Sequence, residues 1–128
     1  MRRSIVLAIA SLAILAAPAE TASAASADEA MAWLAGRWTN KGDCGIGSVQ
    51  FQRSGAGWSY REARLNGGTT YPATASADAS GVVTVRIPSQ DYEYVNTFRG
   101  KDTFDAVEGF TAGPMNGRRL STTYSRCK

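Results

Sequence analysis

Aromatic and charged side chains that could bind a ligand recur at alternate positions of this chain. Trp58, Tyr60, Glu62 and Arg64 are spaced by two, and a β-strand presents such residues on one face. Tyrosine beside a charged group suits a small amphipathic molecule, because the ring offers apolar contact and the hydroxyl a hydrogen bond. The alternative is that the rings only pack in the core as cross-strand pairs. The predicted ligand-binding set consists of Trp58, Tyr60, Glu62, Arg64, Tyr94, Asn96 and Tyr124.

Catalytic and metal-binding chemistry have few candidate residues. Glu62 with Glu108, or Asp91 with Glu93, could form an acid–base pair, although carboxylates at solvent-facing strand positions are common. The sequence contains no histidine, which excludes a Ser-His-Asp triad, a Cys-His pair and a histidine-based zinc site. We therefore expect no enzyme activity, no cofactor and no metal site. Three aspartates lack the spacing of a calcium-binding loop and are predicted to form turns: Asp43, Asp102 and Asp105.

Residues 1–24 have the pattern of a secretory signal peptide. A short basic start precedes an apolar run from Ile5 to Ala17, and small residues follow at the place of signal-peptidase cleavage. The apolar run is too short, and wrongly flanked, for a membrane-spanning helix. The mature domain is therefore predicted at 25–128, as a monomer in the periplasm or outside the cell with no membrane span.

The charge of the predicted mature domain is nearly balanced. The whole chain has 14 Lys and Arg against 11 Asp and Glu, and removing residues 1–24, with two arginines and one glutamate, leaves 12 against 10. Nucleic-acid binding requires a clustered basic face. A surplus of two, with Arg118-Arg119 as the only basic doublet, is too small for one, so we expect no nucleic-acid partner.

Cys44 and Cys127 are the only cysteines of the chain. An even number of cysteines in a secreted domain predicts a disulfide. The bond would close a loop of 83 residues, which chain entropy converts to roughly 4 to 5 kcal/mol of stability. Such a contribution is large for a domain of about 100 residues, where burial of the core alone is marginal.

A short helix is predicted over 25–34. Ser26 and Glu29 match a capping box, Met31 and Leu34 give the helix one apolar side, and Gly36 ends it.

After the helix, the hydrophobic period changes to two, and runs bounded by turn residues predict β-strands. The connections are too short for helical crossovers, so we expect an antiparallel, up-and-down sheet. Closing such a sheet into a barrel removes its exposed edges. The predicted fold is therefore an all-β antiparallel barrel of about eight strands, with a short N-terminal helix and one disulfide. The predicted strands are Arg37–Lys41, Val49–Arg53, Trp58–Leu65, Thr69–Ala75, Val82–Ile87, Tyr92–Arg99, Thr103–Phe110 and Arg118–Arg126.

The inward face of several predicted strands is apolar at one end and charged at the other. A strict period of two places Glu62, Arg64, Glu108 and Arg126 on the same face as the aromatic rings. Unpaired charge is costly to bury, so three explanations stay open. A bulge could turn these residues outwards, they could line a wet mouth or pocket partly paired as Glu–Arg, or they could form a buried ion network.

The disulfide constrains the topology of the barrel. In an even-stranded meander the last strand ends beside the start of the first, which places Cys127 near Arg37. Cys44 lies seven residues farther on, roughly 23 Å away in an extended chain, which is too far for a disulfide. Barrel stagger, a different strand count or a folded-back loop at 41–47 would resolve this. We favour the folded-back loop because its three glycines make it flexible.

The segment Trp33-Leu34-Ala35-Gly36-Arg37-Trp38 resembles the start of lipocalin-like barrels of the calycin group. In those barrels a short helix leads into Gly-x-Trp on the first strand, and the W-L-A-G-x-W wording is similar to several secreted bacterial families. The resemblance implies that Gly36 permits a tight turn into the strand and that Trp38 plugs the closed end. It also implies a cation packed on the indole, with Arg126 or Arg119 as the candidate.

Two families of small periplasmic inhibitors share part of this outline. Metalloprotease inhibitors have Gly-x-Trp early and a cysteine soon after, as Gly36, Trp38 and Cys44 do here, but their second cysteine lies near the middle of the chain. Lysozyme inhibitors are also small disulfide-bearing barrels. The leading hypothesis is a secreted protein that binds a small apolar or amphipathic molecule. The alternative is a secreted barrel that binds a protein, such as an inhibitor of an envelope-directed protease or lysozyme.

Overall fold

A computed structural model describes residues 26–128; the signal peptide predicted at 1–24 lies outside the described residues. No helix within 26–128 is long and apolar enough to cross a membrane. The described residues form one α-helix, eight strands and a 3₁₀ turn at Pro88–Gln90. The elements are α1 (Ala27–Leu34), β1 (Gly36–Thr39), β2 (Val49–Ser54), β3 (Gly57–Glu62), β4 (Thr70–Ala77), β5 (Val82–Ile87), β6 (Tyr92–Phe98), β7 (Thr103–Phe110) and β8 (Arg119–Arg126).

The eight strands form a closed antiparallel barrel. Each strand pairs with the next one along the chain, and β8 pairs with β1 through Trp38↔Arg126 and Thr39↔Ser125. The prediction of an all-β, up-and-down barrel with a short N-terminal helix is confirmed. The architecture is compatible with a lipocalin-like fold.

The strand β5 shows how the sequence specifies this barrel. Val83, Val85 and Ile87 are fully buried, whereas the alternate residues Thr84 and Arg86 face outwards. β-branched residues favour the extended backbone, and the period of two places their side chains on the inner face. The same alternation along the other strands builds one continuous core inside the barrel.

The helix α1 covers one end of the barrel by packing against β4 and β5. Ser26 caps it, since its side-chain oxygen accepts a hydrogen bond from the Glu29 amide at 3.2 Å, as the capping box predicts. Ala30 and Leu34 face the barrel and are fully buried. We call the end covered by the helix the closed end.

Trp38 fills the closed end. Its indole is fully buried and lies edge-on to Phe104, with ring centroids 4.7 Å apart. The indole nitrogen donates a hydrogen bond to the Leu34 carbonyl at 3.1 Å, which fixes the helix to the barrel. The Arg126 guanidinium carbon lies 4.2 Å from the ring centroid, so the cation on the indole is Arg126 and not Arg119.

Arg126 also joins the last strand to the end of the helix. Its guanidinium donates hydrogen bonds to the carbonyl oxygens of Trp33 at 2.6 Å and Ala35 at 2.9 Å, and to that of Lys101. Carbonyl groups at a helix C-terminus have no intrahelical partners, so these bonds satisfy them. Gly36 makes room for this contact, because a Cβ there would lie 2.5 Å from Arg126 Nη1, and its φ of +139° suits glycine.

The Cys44–Cys127 disulfide is present, with the two Cα atoms 5.8 Å apart. The amide of Cys127 donates to the Arg37 carbonyl at 2.8 Å, which places Cys127 beside the first strand as the meander requires. The residues between β1 and β2 fold back to bring Cys44 to it. Both the predicted pairing and the folded-back loop are confirmed.

Asn96 lies fully buried inside the barrel, opposite Val83 and Ala106. Within the described chain, neither polar atom of its side chain has a hydrogen-bond partner. Because an unsatisfied buried amide costs about 1–3 kcal/mol, we expect Asn96→Leu to raise the free energy of unfolding by about 1–2 kcal/mol. Chemical denaturation measures this change, with Asn116→Leu in an exposed loop as the control. A loss of stability in Asn96→Leu would contradict the assignment.

Candidate functional site

A cavity of about 480 Å³ opens at the end of the barrel opposite α1. In an up-and-down barrel, alternate connections lie at the same end, so the loops 40–48, 63–69, 88–91 and 111–118 surround this mouth. We call it the open end. Strand side chains form the deep wall of the cavity, and the loops contribute polar residues to its rim: Asn40, Lys41, Arg64, Asn66, Thr69 and Gln90.

All five tyrosines of the chain line this cavity: Tyr60, Tyr71, Tyr92, Tyr94 and Tyr124. Tyr94 is central, since its ring centroid lies 5.6 Å from that of Tyr60, 5.3 Å from that of Tyr92 and 6.4 Å from that of Tyr124. The hydroxyls of Tyr60 and Tyr94 are hydrogen-bonded at 2.9 Å. The wall therefore combines ring surfaces with hydroxyl groups that are already ordered.

Four of the tyrosine hydroxyls in the wall are neutral at physiological pH: those of Tyr60, Tyr92, Tyr94 and Tyr124. Burial raises the pKa of Tyr60 to about 12, and it raises the pKa of Tyr94 well above its ordinary value. Burial, with the neighbouring Glu108 carboxylate, also raises the pKa values of Tyr92 and Tyr124. These four groups serve as hydrogen-bond donors and acceptors and not as bases or nucleophiles.

Glu108 is the carboxylate in the wall of the cavity. Its residue is 7% exposed, and it accepts hydrogen bonds from the hydroxyls of Tyr124 at 2.8 Å and Tyr92 at 3.2 Å. Burial raises the pKa of Glu108, the two tyrosine donors lower it in part, and nearby Glu62 raises it. No Lys or Arg within the described residues forms an ion pair with it. We call Glu108 with Tyr60, Tyr92, Tyr94 and Tyr124 the tyrosine–glutamate cluster.

Glu62 and Arg64 stand at the rim as an ion pair. Arg64 Nη2 lies 2.9 Å from Glu62 Oε2. The Arg64 side chain is 66% exposed and the Glu62 side chain is 36% exposed. The register from Val49↔Glu62 to Ser54↔Gly57 is unbroken, so a bulge does not turn Glu62 outwards. Of the three explanations for the inward charges, the mouth or pocket holds for Glu62, Arg64 and Glu108, which line the cavity, whereas Arg126 lies at the closed end against Trp38. The predicted strand Trp58–Leu65 is too long, since β3 ends at Glu62 and Arg64 belongs to the following loop.

Five of the seven residues predicted to bind a ligand line the cavity: Tyr60, Glu62, Arg64, Tyr94 and Tyr124. Trp58 and Asn96 do not. Each lies two positions nearer the closed end than the tyrosine on its strand, where the barrel is filled. Trp58 packs there under Arg53, whose guanidinium carbon is 5.1 Å from the ring.

Other residues of the cavity are missing from the predicted ligand-binding set. Tyr71, Tyr92 and Glu108 share the inward face by the period of two, so the alternation that identified Tyr94 could have included them. Asn40 and Lys41 reach the rim through the folded-back loop. No local sequence signal indicates this placement, because it depends on how the disulfide at Cys44, in the middle of that loop, folds it back.

The other carboxylates considered for catalysis or cation binding make structural contacts. Asp43 accepts the amide of its own loop, Asp102 pairs with an arginine, and Asp105 accepts from an arginine and a threonine. Glu93 lies outside the barrel, in an ion pair with Arg86 at 3.3 Å. Within residues 26–128 no group of three or more Cys, Asp or Glu side chains is placed to hold a metal ion.

The raised pKa of Glu108 predicts a specific dependence of stability on pH. A carboxyl whose pKa is higher in the folded than in the unfolded state binds its proton more tightly when folded, so ionisation above pH 4.5 lowers stability. We therefore expect the stability of the native protein, relative to that of Glu108→Gln, to fall as the pH rises through the folded-state pKa. Denaturant titrations of both proteins from pH 4 to 7 measure this difference, in which the titrations of Asp78 and Asp105 cancel. A relative stability that rises with pH would contradict the assignment.

The geometry thus unites apolar ring surfaces, ordered hydroxyls, a buried carboxylate and an exposed ion pair around one cavity. Such a lining can bind a small molecule that has both an apolar body and a polar group. Comparison of the chain with protein-family models, with curated proteins and with solved structures found no match.

Proposed function

We propose that this protein is a secreted, periplasmic or extracellular binding protein that holds a small amphipathic molecule at the open end of its barrel. The observation that carries the proposal is the cavity of about 480 Å³ whose wall contains all five tyrosines and Glu108. Ligand sites of small molecules measure roughly 300–1,000 Å³ and combine apolar walls with a few placed polar groups.

The contrast between the two ends of the barrel supports this proposal. The closed end is filled by Trp38, Phe51 and Phe104, each at most 1% exposed. At the open end, polar and charged groups occupy inward positions that apolar residues would fill in a purely structural core. Placing groups such as Glu108 inside a barrel costs free energy, and contacts with a bound molecule would explain why these groups are there.

The same residues support binding without catalysis. Four of the five tyrosine hydroxyls have raised pKa values and are hydrogen-bonded, so these four are poor nucleophiles: Tyr60, Tyr92, Tyr94 and Tyr124. The disulfide accords with folding in an oxidising compartment. We therefore propose a binding role and not an enzyme activity.

Native mass spectrometry of the protein purified under non-denaturing conditions from secreting cells tests this function. We expect an additional mass that is lost on denaturation. A Thr69→Trp variant places a bulky ring at the rim of the cavity and should lose the additional mass. Thr97→Trp is the matched control, because Thr97 lies exposed on β6 outside the cavity. A bare native protein, or equal occupancy of the two variants, would contradict the proposal.

A protein partner is the second candidate function. Three large apolar side chains on loops at the open end are exposed, with Ile46 at 57%, Leu65 at 92% and Met115 at 42%. Contiguous exposed apolar patches mark protein interaction sites, and these three side chains lie on loops at the same end of the barrel. Ile46→Ser, Leu65→Ser and Met115→Ser would then weaken binding of an envelope hydrolase without changing the content of the cavity.

A further inference from the structure

We infer that the molecule held in this cavity is an organic cation, an ammonium group on an apolar or aromatic body, with the ammonium against Glu108. This inference rests on the proposed function and names the chemical class of its ligand. Three observations carry it: the absence of an ion-pair partner for the buried Glu108 within the described residues, the free hydrogen-bond acceptor capacity of its carboxylate, and the arrangement of the aromatic rings around it.

The first observation is a buried carboxylate with no cation beside it. Glu108 is 7% exposed and makes no ion pair within the described chain. Buried charges in proteins are normally paired. Of the cations that line the cavity, Arg64 is engaged by Glu62 at the rim, and Lys41 lies on the rim loop. A cationic ligand would supply the partner that the fold does not.

The second observation is the acceptor capacity of the carboxylate. Each oxygen of Glu108 accepts one hydrogen bond, from Tyr92 or from Tyr124. An ionised carboxylate has about four lone-pair sites, and an alkylammonium carries three N–H donors. The two tyrosines therefore fix the carboxylate in one orientation and leave it able to accept from a ligand.

The third observation is the aromatic surroundings of that carboxylate. Tyr94 lies with Tyr60, Tyr92 and Tyr124 at ring centroid distances of 5.3 to 6.4 Å, in tilted and edge-on pairs. The negative face of an aromatic ring attracts a cation within about 6 Å of its centroid. Metal ions are a poorer match, since they prefer several oxygen ligands and no group of three or more acidic or thiol side chains is placed for one within residues 26–128.

Isothermal titration calorimetry at pH 7.5 with three probes of one shape tests the inference: 2-phenylethylammonium, 2-phenylethanol and 3-phenylpropanoate. We expect the ammonium to bind at least about tenfold more tightly than the alcohol, and the carboxylate most weakly. Equal or tighter binding of the alcohol would overturn the inference. Tightest binding of 3-phenylpropanoate would also overturn it and would assign recognition to Lys41 and Arg64.

Two variants test whether Glu108 is the carboxylate that binds the ammonium group of the probe. Glu108→Gln should reduce the affinity for 2-phenylethylammonium by at least about tenfold and that for 2-phenylethanol by a clearly smaller factor, because only the ammonium loses a charge partner. Glu93→Gln, outside the barrel, is the matched control and should bind all three probes as the native protein does. Circular dichroism and melting curves verify that both variants fold. An unchanged affinity for the ammonium in Glu108→Gln would overturn the inference.

The failure of this inference is distinguishable from failure of the proposed function. If no probe binds while native mass spectrometry shows a co-purified molecule, the inference is wrong and the binding function stands. If no probe binds and the purified protein is also bare, both are wrong.

Discussion

Reduction of the Cys44–Cys127 disulfide is expected to lower the Tm by well over ten degrees. The bond joins residues 83 positions apart, and closing a loop of that length stabilises a fold by roughly 4 to 5 kcal/mol through the entropy of the unfolded chain. For a domain of this size, each kcal/mol shifts the Tm by about 4–8 °C. The bond also holds the folded-back loop 40–48 against β8, so its loss frees part of the rim of the cavity.

Melting curves with and without reductant measure this effect. The double variant Cys44→Ser/Cys127→Ser should melt at the temperature of the reduced native protein, and its curve should not respond to reductant. Thiol titration establishes the redox state of each sample. A native protein that contains two free thiols and melts at the temperature of the oxidised protein would show that the bond contributes nothing.

Replacing Arg126 by methionine is expected to lower the free energy of unfolding by about 2–4 kcal/mol. The variant removes the cation over Trp38, for which about 0.5–2 kcal/mol is typical. It also removes the charged hydrogen-bond donor of the carbonyl groups of Trp33, Ala35 and Lys101. A hydrogen bond to a charged group contributes about 1.5–3 kcal/mol, of which water recovers a part here because these contacts are exposed or only partly buried. Methionine retains much of the packing of the aliphatic stem of Arg126, so the loss of stability measures the contribution of the guanidinium group.

Urea denaturation of three variants separates these contributions. Arg126→Lys keeps a positive charge over Trp38 but has fewer and differently directed donors, so we expect an intermediate loss of stability. Arg118→Met, at an exposed position in the loop before β8, should change stability by less than about 0.5 kcal/mol. Equal denaturation midpoints for Arg126→Met and the native protein would show that the contacts of Arg126 do not contribute.

The sequence predicts the barrel well because its evidence is local and repeated. Alternation such as that of Val83, Val85 and Ile87 marks a strand that is buried on one face, and turn residues separate each strand from the next. The disulfide added a long-range constraint, and the folded-back loop, which we favoured among three ways to satisfy it, is the one present. The Gly36–Trp38 segment indicated where the barrel begins.

The cavity could be predicted only in part, for physical reasons. Tyr60 and Trp58 are equivalent by period, but only the position of α1 decides which of them lies at the filled end. From the sequence alone, the inward position of Glu108 could equally have been removed by a bulge that turns the carboxylate outwards. Only the continuous register between β6 and β7 excludes this. Lys41 reaches the rim through the tertiary fold of its loop, which the local sequence does not encode.

The junction between the first and last strands has a consequence for the kinetics of ligand exchange. β1 pairs with β8 at two register positions, whereas β7 pairs with β8 at seven, so this junction is the shortest hydrogen-bonded contact in the wall. The disulfide and Arg126 both bridge it. Because the disulfide and Arg126 hold β1 to β8, and α1 covers one end, a bound molecule would enter and leave along the barrel axis, between the loops at the open end. Release would then require movement of those loops and not separation of β1 from β8.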